Sequence, residues 1–354
     1  MRKESMEFLK QLLTTPSPSG FESNAQRIWC DYAREFADEV RTDSYGNAMA
    51  VLNPGGGPRI MLDAHMDEIG MVVKHIDEKG FVYFQRIGGV DPALVQGKRV
   101  SIHTAKGSIR GIIGATAIHL IDRDKDRKVP KMHEVFVDIG AKDAKEAGKL
   151  VAIGDPMTFV DDFEMLSDHV AVARGFDNRA GAWVIIEALR IASLGKPKCA
   201  VLACSSVQEE LGLLGAKMNV HHASPDAALV VDVTHATDSP GIDVKQHGLV
   251  KLGEGPTVSL GRENHPVMSA RMRSVARRKK IRHQVETFSI TGGTDAYVIH
   301  TNAGGVPSVL VSVPTRYMHS TVEVVDLRDL ANTAELLGAF LLDVKKGEKF
   351  AVKV

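Results

Sequence analysis

The sequence predicts an α/β fold: a mixed, mostly parallel central sheet with flanking helices, interrupted by a small inserted β-barrel-like unit. Three observations predict it. After Asp168 apolar strands alternate with helical stretches, which is the wiring of a parallel sheet buried on both faces. An apolar strand of the same character, Ile60-Met-Leu, lies far upstream. Between the two, from about Gly70 to Val160, the texture changes to short alternating segments separated by turns.

The chain opens on two predicted helices. Glu4 to Leu13 shows apolar residues at helical spacing, and Glu22 to Val40 does so again after the Pro16-Ser-Pro-Ser-Gly20 break. A hairpin turning at Tyr45-Gly46-Asn47 follows. The Asn53-Pro-Gly-Gly-Gly-Pro58 cluster then launches Ile60-Met-Leu, which stops at Asp63-Ala-His65. In the middle region, Gly70 to Ile76, Phe81 to Ile87, Val100 to His103 and Ile109 to Ile113 are punctuated by Glu78-Lys-Gly80 and Ala105-Lys-Gly107. Such short strands close into a barrel or sandwich, and the charged loop Asp122 to Lys128 reads as solvated. The α/β pattern resumes with helix Asn178 to Ala192, strand Ala200 to Val207, helix Leu213 to Val220 and strand Ala227 to Val231. Strand Ser308 to Val313 and helix Leu327 to Val344 extend it. Residues 1–68 and 164–354 are therefore expected to form one α/β domain, and residues 69–163 a β domain inserted into it.

Composition narrows the function class. In 354 residues, 44 basic side chains balance 44 acidic ones, so no global field draws the molecule to nucleic acid or an anionic membrane. The first ten residues mix charges into an amphipathic pattern rather than a secretory signal, and no run reaches the length of a membrane span. A cytoplasmic location is the expectation. Cys30, Cys199 and Cys204 form no CxxC pair and read as buried small hydrophobes.

The chemistry is expected where apolar strands end, because ligands of open α/β sheets bind beyond the carboxyl ends of the strands. His65 follows Ile60-Met-Leu, Glu209 and Glu210 follow Ala200 to Val207, and Asp232 follows Ala227 to Val231; Asp177 precedes a helix, and His319 lies in a loop after the strand ending at Val313. Taken singly, Asp177 reads as an N-cap, each histidine as a structural one and Glu209-Glu210 as a solvated turn. As a set they are imidazoles and carboxylates, the types that ligate metal. Two divalent cations would be neutralised by Asp177, Glu210, Asp232 and one hydroxide, with neutral His65 and His319 completing the shells. That leaves Glu209 over as a general base.

Five ordered segments then point to a family. Ala64-His65-Met66-Asp67-Glu68-Ile69-Gly70, Phe176-Asp177-Asn178-Arg179-Ala180-Gly181, Gln208-Glu209-Glu210-Leu211-Gly212, Val231-Asp232-Val233-Thr234-His235 and Tyr317-Met318-His319-Ser320 resemble the M42 metallo-aminopeptidases, which include the tetrahedral TET peptidases. The resemblance implies a zinc-aminopeptidase-like fold and two divalent metal ions per subunit, zinc or cobalt. Asp177 would bridge them, His65 and Asp232 would complete one site, Glu210 and His319 the other, with Glu209 as catalytic carboxylate and Asp67 orienting His65. It also implies peptide substrates cut at the N-terminus, dimerisation through the inserted β unit, and a hollow dodecamer.

Gly292-Gly293-Thr294-Asp295-Ala296 resembles a family loop near the substrate; physically it is a glycine-rich helix entry whose backbone could meet a peptide carbonyl, so Gly293, Thr294 and Asp295 are the substrate-binding candidates. The basic stretch Arg271 to Arg282 lacks interleaved aromatics and reads as a solvated or subunit-contact face, and His221-His222 as a helix C-terminal dipole complement. Two rivals remain: a deacylase or carboxypeptidase acting on N-acyl amino acids with a similar metal site, and a scaffold of the same fold without catalysis. Cellulase chemistry, which needs paired carboxylates but no histidine ligands, fits poorly.

Overall fold

Apolar spacing at the start of the chain dictates two helices laid on one core. The computed structural model describes residues 1–120, 128–160, 163–287 and 293–353. Helix α1 (Lys3–Thr14) buries Phe8, Leu9, Leu12 and Leu13. Helix α2 (Ser23–Ala33) buries Ala25, Trp29, Cys30 and Ala33, and stops well short of the expected Val40. Val40 instead lies in strand β1 (Glu39–Thr42), paired antiparallel with β2 (Ala48–Leu52) opposite Ala50. Phe36, Ala37 and Val40 all pack on the same core, so their helix-like spacing survives although the backbone has changed to a strand. Strand β3 (Arg59–His65) follows.

The chain then leaves the sheet. Strands β4 (Gly70–Ile76), β5 (Val82–Ile87), β6 (Arg99–Thr104), β7 (Gly107–Ile113) and β8 (Phe136–Asp138), helix α3 (Ala144–Leu150) and strand β9 (Pro156–Phe159) build a closed barrel in the order β4-β5-β8-β7-β6-β9. Alternate residues point inward, giving the barrel a core of its own that includes Met71, Val73, Val82, Phe84, Val100, Ile102, Val137 and Met157. Of the charged loop Asp122 to Lys128, all but Lys128 lies outside the described residues.

On its return the chain forms β10 (Glu164–Met165), β11 (Val170–Ala173), α4 (Phe176–Gly195), β12 (Ala200–Ser206), α5 (Leu214–Ala223), β13 (Ala227–His235), α6 (Val244–His247), β14 (Thr257–Leu260), α7 (Pro266–Lys279), β15 (Gln284–Thr287), α8 (Ala296–Ile299), β16 (Ser308–Arg316), β17 (Glu323–Asp326) and α9 (Leu327–Asp343). Among the described residues this makes an eleven-stranded sheet along the path β1-β2-β12-β3-β13-β16-β17-β11-β10, with β14 and β15 joined at β16. Its centre, β12-β3-β13-β16, is parallel; the margins are antiparallel except for the parallel pair β14-β15. The mixed sheet with parallel strands at its centre, and the interpolated barrel, are the architecture the sequence predicts.

The parallel strands are apolar on both faces because both are covered. Ile60, Leu62, Val201, Ala203, Leu229 and Val231 join the core shared with α1, α4 and α9, while Met61, Leu202, Cys204, Ala228 and Val230 face α5 and α8. The three cysteines are free and buried. On α7, Met268, Met272 and Val275 are buried, and Arg271 and Arg278 each reach Asp343 at 2.7 Å, so part of the basic face is paired within the chain. Among the described residues no helix is long and apolar enough to cross a membrane.

Candidate metal centre

Period-two alternation sets the first placements: His65 and Asp232 continue the rows of Met61 on β3 and Val230 on β13, so they project from one face of neighbouring parallel strands. Asp232 lies within its strand rather than beyond it. The β-branched Val233 and Thr234 extend the pairing with β16, and the ladder runs on to His235 opposite Thr315. Asp177 sits in the first turn of α4, where Asp177 and Asn178 depart from helical dihedrals and the peptide bond between them is cis. The Asn178 amide donates to the Val231 carbonyl at 2.8 Å and accepts from Gly181 N at 3.0 Å, tying this helix start to β13.

The six side chains predicted from strand and helix ends come together. His65 Nε2 lies 3.2 Å from Asp177 Oδ1 and 3.8 Å from both Glu209 Oε2 and Asp232 Oδ1. His319 Nε2 lies 3.3 Å from Asp177 Oδ2 and 3.1 Å from Glu210 Oε1. Two trios, His65 with Glu209 and Asp232 and Asp177 with Glu210 and His319, each bring one donor atom per residue within 4.8 Å of the others.

Asp67 holds this arrangement from behind. Its carbonyl accepts from His65 Nδ1 at 3.1 Å, which turns Nε2 toward the cluster. Its carboxylate accepts from the backbone N–H of Glu209 at 2.9 Å and of Glu210 at 3.1 Å, and from the Ser19 hydroxyl at 2.5 Å. Although burial works against it, the hydrogen bond and charge of His65 keep Asp67 below the usual carboxylate range.

Sequence reasoning missed a second brace. Glu323, at the start of β17 and 1% exposed, accepts from the backbone N–H of Asp177 at 3.0 Å and of His319 at 3.1 Å. Nor did any pattern flag Gly88 and Gly89, which follow barrel strand β5 and press against Glu210 and His319. Neither kind of contact leaves a sequence signal, since one acts through backbone amides and the other through a missing side chain.

The electrostatics favour positive charge at the centre. Burial pushes Glu209 up to about 9 against the pull of His65, with Asp232, Glu210 and Asp177 adding to the rise. Burial also pushes Asp232 up to about 7 and raises Glu210. Hydrogen bonds to Asp177 and Glu210 lift His319 to about 11. For His65, burial alone would favour the neutral ring, yet the charge of Glu209 and hydrogen bonds to Asp177 and Asp67 carry it well above the usual imidazole range. Four carboxylates converging on two imidazoles, all by oxygen or nitrogen atoms, form a donor set that fits divalent cations.

The cluster opens into a cavity also lined by Val233, Thr234, His235, Glu263, Leu310 and Met318. Of the substrate-binding candidates, Gly293 and Thr294 line it, while Asp295 lies behind them, 2% exposed, and its carboxylate oxygens have no hydrogen-bond partner among the described residues. Gly292 lies outside the described residues.

Comparison with known proteins identifies the family. The model of the family "M42 glutamyl aminopeptidase" matches residues 46–336. The chain is 35% identical to the lysyl aminopeptidase of Pyrococcus furiosus over 96% of its own length and 97% of that protein. It superposes on a TET aminopeptidase from a marine-sediment Thaumarchaeota archaeon with a TM-score of 0.92 at 34% identity, covering 96% of each chain. With the TET1 peptidase of Pyrococcus horikoshii, which can assemble into a tetrahedron or a large octahedral shell, the TM-score is 0.86 at 31% identity, over 96% of this chain and all of that one. The M42 family's model spans most of the sequence, these relatives match it nearly end to end, and the chain belongs to the M42 aminopeptidases.

Proposed function

We propose that this aminopeptidase works with two divalent metal ions, zinc or cobalt, held side by side across Asp177. The observation behind this reading is that Asp177 turns Oδ1 to His65 at 3.2 Å and Oδ2 to His319 at 3.3 Å, so one carboxylate reaches both donor sets. His65 and Asp232 would hold one ion, Glu210 and His319 the other. When bound, such ions supply Lewis acidity that polarises the first peptide carbonyl and makes water nucleophilic near neutral pH.

The protein's own part is proton transfer and positioning. Glu209 takes the proton of the attacking water and passes it to the leaving amine, a role suited to a buried carboxylate whose Oε2 lies 3.8 Å from His65 Nε2, beside the donor atoms rather than between them. Asp67 fixes both the ring of His65 and the backbone that aims Glu209. Gly293 and Thr294, at the cavity wall, would contact the peptide, and Asp295 would support them by starting α8. The barrel would serve as the dimer contact, with dimers assembling into a dodecamer.

The test is a panel of free and N-acetylated aminoacyl substrates on chelated protein reconstituted with each metal. Turnover restored by zinc or cobalt and confined to free N-termini is expected. Cleavage that survives acetylation would make the protein a deacylase instead.

A further inference from the structure

We propose that Glu263 makes this enzyme select peptides whose N-terminal residue has a cationic side chain, lysine or arginine. The inference rests on reading the cavity beside His65 and His319 as the aminopeptidase site. Glu263 lines that cavity, is 3% exposed, and belongs to the turn between β14 and α7.

The turn is built to hold it. Asn264 Oδ1 accepts from Leu310 N at 2.8 Å and His265 N donates to the Ser308 carbonyl at 2.7 Å, which pins both following residues to β16. Among the described residues neither carboxylate oxygen of Glu263 has a hydrogen-bond partner. Arg262 Nε stands 3.2 Å from Oε2 as an ion pair, and its guanidinium lies over the ring of Tyr297 at 4.9 Å rather than in the cavity wall. Thus Arg262 engages Oε2, and Oε1 is left without a partner among the described residues.

A buried carboxylate oxygen without a donor is costly, and a charged donor entering the cavity offsets that cost more fully than a neutral one. The other acidic groups of the cavity face one another, His65 and His319, so among the described residues Glu263 is the one carboxylate of the wall outside that cluster. Val233, Leu310 and Met318 line the same space and match the methylene stem of lysine or arginine. An acidic N-terminal residue would meet like charge there.

The experiment compares lysyl, arginyl, norleucyl and glutamyl aminomethylcoumarins on the metal-loaded enzyme and on Glu263→Gln. Norleucine keeps the stem of lysine and removes the charge. In the wild type, kcat/KM for lysine and arginine should exceed that for norleucine by roughly tenfold or more, chiefly through KM, with glutamate lowest. Glu263→Gln should shrink the lysine-to-norleucine ratio by a similar factor, and free lysine should lose its advantage over norleucine as a competitive inhibitor. A wild type that cleaves norleucyl or glutamyl substrate as well as lysyl, or a ratio unchanged in the variant, overturns the assignment while leaving the aminopeptidase reading intact. Failure to cleave any free aminoacyl substrate, with N-acetylated ones cut, removes that reading and this one with it.

Discussion

A β-carbon on Gly89 would stand 2.4 Å from Nδ1 of His319. The barrel therefore reaches the candidate metal centre not by a side chain but by the lack of one, and the imidazole occupies the space. Gly89→Ala should push the ring off Glu210 and Asp177. A displacement of about 1 Å at a catalytic group can cost on the order of 10²-fold, so turnover should fall by at least about tenfold and metal content by up to one ion. Mass-spectrometric metal counting alongside kcat checks it; full activity with two ions would show that the ring is not needed where it stands.

Glu209→Gln separates base from ligand. The variant should retain both metals and lose roughly 10²-fold or more in kcat, the usual worth of general-base catalysis. The alternative is concrete, because Glu209 Oε2 lies near the donor atoms of His65 and Asp232. A variant that is inactive and has also shed an ion would move Glu209 into the ligand set.

Asp177→Ala removes the carboxylate that, among the described residues, pairs with both His65 and His319. Both ions should be lost after dialysis, and activity with them. Two ions retained per chain would contradict a bridging role.

A pH effect is expected far from the centre. Asp329, buried in the first turn of α9, accepts from Gly253 N at 2.7 Å and Gly255 N at 2.8 Å, yet burial outweighs these bonds and pushes its carboxyl up to about 6. The folded chain thus holds this proton more tightly than the unfolded one, whose carboxyl titrates near 3.8. Its contribution to stability is fully present below that ordinary value and is lost as pH rises through about 6. Asp329→Asn cannot titrate, so between about pH 4 and pH 6 the wild type's unfolding midpoint should fall relative to that of the variant. Parallel profiles for the two proteins would refute this.

What could be read in the sequence followed from period and position. Two-sided apolar strands announced the parallel sheet, and polar residues at or near their ends announced the cluster, even though Asp232 proved to lie inside β13. Val40 misled because a residue packed on the core keeps helical spacing whether the backbone is helix or strand. Glu323, Gly89 and Glu263 were illegible for another reason. Their meaning lies in contacts made by folding, such as the backbone of Asp177 meeting Glu323 at a sequence separation of 146, and no local pattern encodes these.

Directly after Asp67, Glu68 anchors a different network. It is buried, accepts from Ser17 N at 2.9 Å, pairs with Arg174, and meets Arg179 Nη2 at 2.7 Å. Arg179, fully buried near the start of α4, also donates to the carbonyls of Leu12 and Thr15 at the end of α1. Three charges thus join the exit from β3, the strand-to-helix corner that bears Asp177, and the N-terminal segment. Both arginines pair directly with Glu68, and burial already pulls Arg179 down to about 10. Glu68→Ala would leave two buried guanidinium groups uncompensated, for which about 3–5 kcal/mol of destabilisation is expected. Denaturant unfolding measures this directly; a loss under about 1 kcal/mol, the range of an exposed pair, would mean that water reaches the arginines as soon as the carboxylate is gone.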